Sequence, residues 1–281
     1  MSKYKWFPGH MTKYLREINQ SQIKKSHVIL YLRDSRLMET SRNKVLENVI
    51  KDKKILNIFT KSDLINLRSK DVPEDSYFYS RFEDNKNLID FIKKYSDEKF
   101  ISTFTVMTII GLPNVGKSTI INSLKTRHNF YNKAKTSDVP CFTQNIDPYV
   151  VSRDPNIVLY DTPGIFPPVE QDFLSALKFS LVGTIDNKNI FFDDLSLARA
   201  IFLILNTVNC IKPLENTIAS KLNWSNFEHF MRRLQRRRNL NKERAIIWLI
   251  GKYRKGAIGK FALDNPKLDS ALLENKNFIL S

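Results

Sequence analysis

Short apolar runs alternate with amphipathic stretches along roughly the first 160 residues of the chain. A polar or glycine-bearing loop follows each run. The runs are rich in β-branched or aromatic residues, and there are five of them: Val28–Leu32, Ile55–Phe59, Tyr77–Tyr79, Val106–Ile110 and Ile157–Tyr160. Runs of this kind are typical of buried strands. The alternation predicts an α/β domain with a mostly parallel sheet and helices on both faces. Such a sheet binds ligands at the carboxyl ends of its strands.

The pattern changes after about residue 172, where strand signals fade. Helical periodicity then dominates, as in Leu195–Leu205 and Phe227–Leu240. The length of 281 residues fits one large or two modest domains. We therefore predict an α/β domain over residues 1–172 and a smaller, mainly helical domain over residues 173–281.

The sequence GLPNVGKST follows the fourth predicted strand and fits the phosphate-loop pattern G-x-x-x-x-G-K-S/T. Gly111 and Gly116 are expected to permit the backbone angles that turn successive N–H groups onto phosphates. Lys117 should reach the β- and γ-phosphates, and the Ser118 hydroxyl should bind Mg²⁺. A chance glycine-rich turn is the weaker alternative. The predicted phosphate-site residues are Asn114, Val115, Gly116, Lys117, Ser118 and Thr119.

A second phosphate motif, DTPG, begins 44 residues after Lys117, at the end of the fifth predicted strand. Asp161 is expected in the Mg²⁺ shell through water, and the Gly164 N–H is expected at the γ-phosphate. Between the two motifs, Thr143 is the best candidate for a switch threonine that closes on Mg²⁺. Thr136 is a rival, because no clear strand fixes the register of the intervening segment.

The sequence TKSD follows the second predicted strand and fits the guanine-reading pattern N/T-K-x-D. Asp63 can accept two hydrogen bonds from guanine that adenine cannot donate, which disfavours an ATPase. The stem of Lys61 can lie over the base. Thr60 opens the motif, and Ser80, after the third predicted strand, is assigned to the same nucleotide site. A surface loop is the alternative for a lone TKSD.

The order of these motifs is unusual, because the guanine motif precedes the phosphate loop and has no copy after Gly164. This order predicts a circularly permuted P-loop GTPase. Ras-like GTPases orient the attacking water with a Gln after the DTPG-type motif, but Ile165 stands here and can neither donate nor accept. His10, in the N-terminal sequence WFPGHM, is a candidate replacement. A lone His is more often structural, although its pKa suits either role.

The net charge is +16, and part of that excess reflects a Lys-rich, Asn-rich and Ile-rich composition. Overall composition does not explain the clustering of basic residues, because residues 221–260 hold twelve Lys or Arg and only two acids. The cluster favours a nucleic-acid partner over a merely solvated helix face.

Cys141 and Cys210 cannot build a zinc site alone and favour a reducing compartment. Without a secretory segment or an apolar run that spans a bilayer, we expect a cytoplasmic, membrane-free protein.

The motif order, together with WFPGHM, resembles the ribosome biogenesis GTPase A (RbgA or YlqF) family. Further matches are Asp34-Ser35-Arg36, Ser41-Arg42-Asn43 and the stretch Val182–Ile185. The resemblance implies a GTPase that binds GTP and GDP and matures a late precursor of the large ribosomal subunit. It also implies that His10 moves toward the γ-phosphate, that Asn114 holds K⁺ and that the helical domain contacts ribosomal RNA.

Two positions depart from the family pattern. Thr60 replaces an Asn at the start of the guanine motif, and Pro140-Cys141 replaces a Pro-Gly before the switch threonine.

Two other functions stay open at this stage. A small-subunit assembly GTPase would carry an OB-fold and a zinc site, for which the chain offers little room and few cysteines. A nucleotide-gated RNA-binding protein would lack useful hydrolysis. We expect a monomer.

Overall fold

The computed structural model describes residues 23–66, 75–95, 104–125, 148–153, 155–162, 164, 172–184, 191–208 and 226–281. These residues divide into two compact units. One unit contains the described residues from 23 to 62 and from 75 to 164. The other contains Asp63–Asn66 and the described residues from 172 onward.

Among the described residues, six strands form one sheet in the order β3-β2-β1-β4-β6-β5. Their bounds are β1 Val28–Asp34, β2 Lys54–Thr60, β3 Ser76–Tyr79, β4 Thr105–Gly111, β5 Pro148–Arg153 and β6 Asn156–Tyr160. All pairs are parallel except β5 with β6. Every residue of β1 and β4 is buried, as expected of central strands covered on both faces. The five strands predicted from the apolar runs are confirmed.

Strand β5 corrects the sequence prediction, which found no clear strand between the phosphate loop and DTPG. Among the residues that the structure describes, it lies at the sheet edge and pairs only with β6, with a register irregularity between Val150 and Ser152. Its first residue is Pro148, which an edge strand tolerates because its nitrogen need not donate. An edge strand of this kind lacks the continuous apolar run that marks the central strands.

Three α-helices of this unit lie in the described residues: α1 Lys44–Ile50, α2 Asn85–Lys94 and α3 Lys117–Lys125. Asn43 starts α1, because its side-chain oxygen accepts from the Leu46 N–H at 3.1 Å. The Asn43 N–H in turn donates to the Tyr31 hydroxyl at 2.9 Å. One buried cluster joins α1 to the central strands: Ile23, Ile29, Tyr31, Leu46, Ile50 and Ile110. Single turns of 3₁₀ helix follow β1 (Ser35–Leu37) and β2 (Ser62–Leu64).

Beyond residue 171, the regular elements that the structure describes in the second unit are all helices. Its helices are α4 Phe173–Val182, α5 Asp194–Thr207, α6 Phe227–Arg238, α7 Lys242–Arg254, α8 Pro266–Glu274 and α9 Lys276–Leu280. Helix α5 packs against α4, α7, α8 and α9. The predicted helical segments Leu195–Leu205 and Phe227–Leu240 are confirmed as α5 and α6. No helix in the described ranges has the length and apolarity that a membrane crossing requires.

Asx residues define where these helices begin. The carboxylate of Asp193 accepts from the Ser196 N–H at 2.8 Å at the start of α5. Asn226 and Asn241 start α6 and α7 with the same side-chain to backbone bond. Such caps satisfy N–H groups that the first helical turn leaves without partners. Helix α6 ends at Asn239, whose φ of 52° is left-handed.

Candidate functional site

Three strand ends meet at one edge of the sheet. Strands β1 and β2 are parallel with Asp34 opposite Thr60, and β1 and β4 are parallel with Leu32 opposite Gly111. Asp34, the TKSD motif and the phosphate loop therefore leave the sheet side by side, although the sequence separates them widely. This edge is the carboxyl end of the parallel strands, where such sheets bind ligands.

The phosphate loop runs from the end of β4 to the first residue of α3. Gly116 has a φ of 103° and Asn114 a φ of 54°, so both residues turn the loop through left-handed backbone. Gly111 needs no such conformation, which corrects the sequence interpretation. A Cβ at Gly111 would lie 2.6 Å from the Leu32 carbonyl oxygen, so this glycine permits the close approach of β1 and β4.

The N-terminal turn of α3 follows this loop directly. Lys117 is buried, and its Nζ donates to the Leu112 carbonyl at 2.9 Å. Ser118 is partly exposed and Thr119 is exposed on the same turn, whereas Val115 is buried beneath the loop. Backbone N–H groups and a positive helix end at this place form an anion site.

The DTPG motif leaves β6 beside this loop, because β6 pairs with β4. Asp161 is buried directly after β6, and the Thr162 hydroxyl donates to the Ile109 carbonyl of β4 at 2.7 Å. A Cβ at Gly164 would lie 2.7 Å from the Pro113 nitrogen. Glycine at this position therefore permits the close approach of residue 164 to the phosphate loop.

The Thr60 side chain joins the guanine motif to the phosphate loop. Its hydroxyl donates to the Val115 carbonyl at 2.6 Å, with the Arg33 carbonyl at 3.2 Å as a second acceptor. Thr60 is 2% exposed, so water cannot replace these contacts. Thr60 stands where the family pattern has an Asn, and its side chain is shorter. In the structure the threonine hydroxyl nevertheless reaches a loop carbonyl.

Lys61 makes a second connection to the same loop. Its φ is 57°, and its Nζ donates to the Asn114 carbonyl at 2.9 Å and to Asp34 Oδ2 at 2.9 Å. One ammonium group thus joins the end of β1, the guanine motif and the phosphate loop.

Asp34 is the acidic centre of this connection. It is buried and also binds Arg36, whose Nε lies 3.0 Å from Oδ1 and whose terminal nitrogen lies 2.8 Å from Oδ2. Burial alone would raise the pKa of Asp34, but the charges and hydrogen bonds of Arg36 and Lys61 outweigh it and hold that pKa well below its usual range. Asp34 therefore stays ionised and keeps Lys61 in place.

The sequence places Asp34 directly after the first predicted strand, at the ligand edge of the sheet, but it assigns no partner to Asp34 or Ser35. The Ser35 hydroxyl donates to the Thr60 carbonyl at 2.5 Å, so both residues support the guanine motif from the neighbouring strand. The placement of Asp34 uses a local signal, because polar side chains directly after a fully buried strand face the ligand edge of a parallel sheet. Identifying their partners required the register between β1 and β2.

The remaining predicted residues are placed as follows. Asp63 lies in the single turn Ser62–Leu64 after β2 and is partly exposed. Ser80 is buried after β3, where its hydroxyl accepts from the Phe82 N–H at 3.2 Å. Four predicted residues lie outside the described part of the chain: His10, Thr136, Thr143 and Ile165.

Thr60→Val should weaken the fold and GTP binding together. Valine keeps the shape of threonine but leaves the buried Val115 carbonyl without its donor, at a cost of ~1–2 kcal/mol in the free energy of unfolding. Thr60→Ser keeps the hydroxyl and serves as the control. Urea unfolding and titration with a fluorescent GTP analogue measure both quantities. A Thr60→Val variant equal to wild type in both would show that this contact does not support the loop.

Comparison with known proteins identifies the family that uses this arrangement. A family model described as "50S ribosome-binding GTPase" matches residues 106–247. Ribosome biogenesis GTPase A of Bacillus pumilus is 30% identical over 221 residues, covering 70% of this chain and 74% of that protein. The chain belongs to the 50S ribosome-binding GTPase family. The resemblance to ribosome biogenesis GTPase A inferred from the motif order is thereby confirmed.

Membership of the 50S ribosome-binding GTPase family makes this chain an enzyme that hydrolyses GTP and binds GTP and GDP. Mitochondrial GTPase 1 of Schizosaccharomyces japonicus is 27% identical, covering 92% of this chain and 90% of that protein. The crystal structure of GNP-bound YlqF from T. maritima matches with a TM-score of 0.58 at 19% identity, covering 90% of this chain and 98% of that one. This likeness confirms the circularly permuted P-loop GTPase fold.

Proposed function

We propose that this GTPase is an assembly factor that binds the precursor of the large ribosomal subunit and promotes its late maturation. The observation that carries the proposal is a basic helix face in a chain of this family. The Bacillus pumilus relative is named ribosome biogenesis GTPase A, and that name states a role in making ribosomes. Nucleotide hydrolysis would then time a step of assembly rather than supply a metabolite.

The basic face belongs to helix α6. Phe227, Phe230, Met231 and Leu234 are buried at helical spacing and fix one side of α6 against its own unit. Arg232 and Arg236 are exposed on the opposite side, and Arg237 and Arg238 are exposed on the last turn of the helix. A surface built in this way suits the phosphates of RNA, which attract guanidinium groups from a distance and bind them closely.

We assign Mg²⁺ to Ser118, Asp161 and Thr143, and K⁺ to Asn114. The described donors fit a hard cation, since Ser118 offers a hydroxyl on the first turn of α3 and Asp161 a buried carboxylate. The described residues contain no cluster of three or more His, Cys, Asp or Glu that would suit a transition metal. Bound Mg²⁺ would neutralise charge that develops on the phosphates, while Lys117 binds and orients them.

His10 is proposed as the residue that orients the attacking water, and Thr143 as the switch threonine, with Thr136 as the rival. Both roles stay predictions, as do the monomeric state and the cytoplasmic location. The relative from Schizosaccharomyces japonicus is named a mitochondrial GTPase.

Sedimentation of the tagged protein through a sucrose gradient tests the proposal. With a non-hydrolysable GTP analogue, the protein should co-migrate with large-subunit particles. Arg236→Ala, Arg237→Ala and Arg238→Ala in one variant should release it while GTP affinity stays unchanged. On isolated ribosomal RNA, the slope of log affinity against log salt should be smaller for this variant than for wild type by roughly 2 to 3. A change of that size corresponds to the loss of up to three phosphate contacts.

A matched variant separates specific contacts from total charge. Lys51, Lys86 and Lys267 are exposed and lie outside α6, and their joint replacement by Ala removes the same number of positive charges. This control should migrate with the particles as wild type does. Co-migration with the small subunit instead, or equal release of both triple variants, would contradict the proposal.

A further inference from the structure

Helix α7 carries an aromatic residue framed by two cations. The guanidinium of Arg238 lies 4.8 Å from the centre of the Trp248 ring, and the ammonium of Lys252 lies 5.5 Å from it. Trp248 is partly exposed, and its neighbour Ile247 is 60% exposed. A large aromatic ring is thus held at the surface in a positive environment rather than in the core of its unit.

Gly251 lies on the same face, because Trp248, Gly251 and Lys252 are spaced three and four residues apart. A Cβ added at Gly251 would meet nothing within 4 Å, and its backbone is helical rather than left-handed. Alanine would therefore fit the free protein and favour the helix. This glycine therefore does not stabilise the free protein. Its missing side chain would instead leave space for the backbone of a partner that passes close to α7.

We propose that this surface, the Trp248 platform, binds an unpaired nucleotide of ribosomal RNA. The platform consists of Arg238, Trp248, Gly251 and Lys252. The base stacks on the Trp248–Arg238 pair, the sugar-phosphate backbone passes over Gly251, and Lys252 pairs with a phosphate. This inference rests on the proposed function and adds to it the form of RNA that is recognised.

The chemistry of the platform favours single-stranded RNA over a duplex or a protein. Proteins read unpaired RNA bases by stacking them on aromatic rings and guanidinium planes, and a duplex hides those faces. Helices α6 and α7 carry only two acids, Glu228 and Glu243, among many cations. The excess positive charge matches a polyanion and would oppose a neutral or basic protein surface.

The test compares binding of a single-stranded RNA and a duplex of equal length by fluorescence anisotropy. Trp248→Ala should weaken single-strand binding by roughly 5- to 150-fold, the usual effect of one lost stacking contact, and should change duplex binding little. Trp248→Phe should retain most of the affinity. GTP affinity should equal that of wild type in all variants.

Gly251→Ala provides a second test that does not depend on the core. This variant should keep or raise the melting temperature and yet weaken single-strand binding, because its methyl group obstructs the RNA backbone. Ser270→Ala, at an exposed position of α8, is the matched helix-favouring control and should bind RNA as wild type does.

The outcomes separate this inference from the proposed function. If wild type binds neither RNA nor particles, the proposed function fails. If wild type binds both, and Trp248→Ala and Gly251→Ala bind RNA equally well, only the Trp248 platform is wrong. If the two variants keep RNA affinity but leave the particles, the platform docks on a protein, which also overturns the inference.

Discussion

Asp63→Asn should change the preferred nucleotide of this GTPase from GTP to xanthosine triphosphate. The Asp63 carboxylate is predicted to accept two hydrogen bonds from the N1–H and N2–H₂ groups of guanine. An Asn would present its amide to one of those donors and leave it unpaired, at a cost of ~2–4 kcal/mol in GTP binding. Xanthine carries a 2-oxo group in place of the amine, so the new amide can donate to it.

Titration with both nucleotides measures the exchange. The variant should bind GTP roughly 30- to 1,000-fold more weakly, the affinity equivalent of that energy, and should gain affinity for xanthosine triphosphate. Asp90→Asn, an exposed position on α2, makes the same charge change and should behave as wild type. Unchanged GTP affinity in Asp63→Asn would remove Asp63 from the base site.

His10→Ala should remove most of the acceleration of GTP hydrolysis that large-subunit particles provide. Ile165 replaces the glutamine that orients water in Ras-like GTPases, and it can neither donate nor accept a hydrogen bond. We expect another group to supply that function, and the resemblance of WFPGHM to ribosome biogenesis GTPase A implies that this group is His10. Positioning water or stabilising developing charge contributes ~2–4 kcal/mol to lowering a barrier of this kind.

Single-turnover hydrolysis on purified particles measures this effect. Wild type should be slow alone and fast on the particle, while His10→Ala should stay slow in both. Its GTP affinity and its co-migration with particles should match wild type, which separates a loss of catalysis from a loss of binding. Equal stimulation of both proteins would exclude the proposed role of His10.

The sequence by itself determined the parts of this protein that depend on local pattern. Buried parallel strands require continuous apolar runs, so the apolar pattern alone was enough to identify the five parallel strands. The phosphate loop was recognisable for a similar reason, since its glycines and lysine lie within one short segment, Gly111–Thr119. The order of the motifs was also a property of the sequence alone, and it led to a permuted GTPase.

Only the tertiary structure decided how these parts support each other. The ammonium of Lys61 joins Asp34 and the Asn114 carbonyl, which are 27 and 53 residues away along the chain. The need for glycine at Gly111 comes from the neighbouring strand β1 and not from its own backbone angles. Contacts of this kind depend on strand register, which forms only when distant segments pack together and which no local pattern of residues encodes.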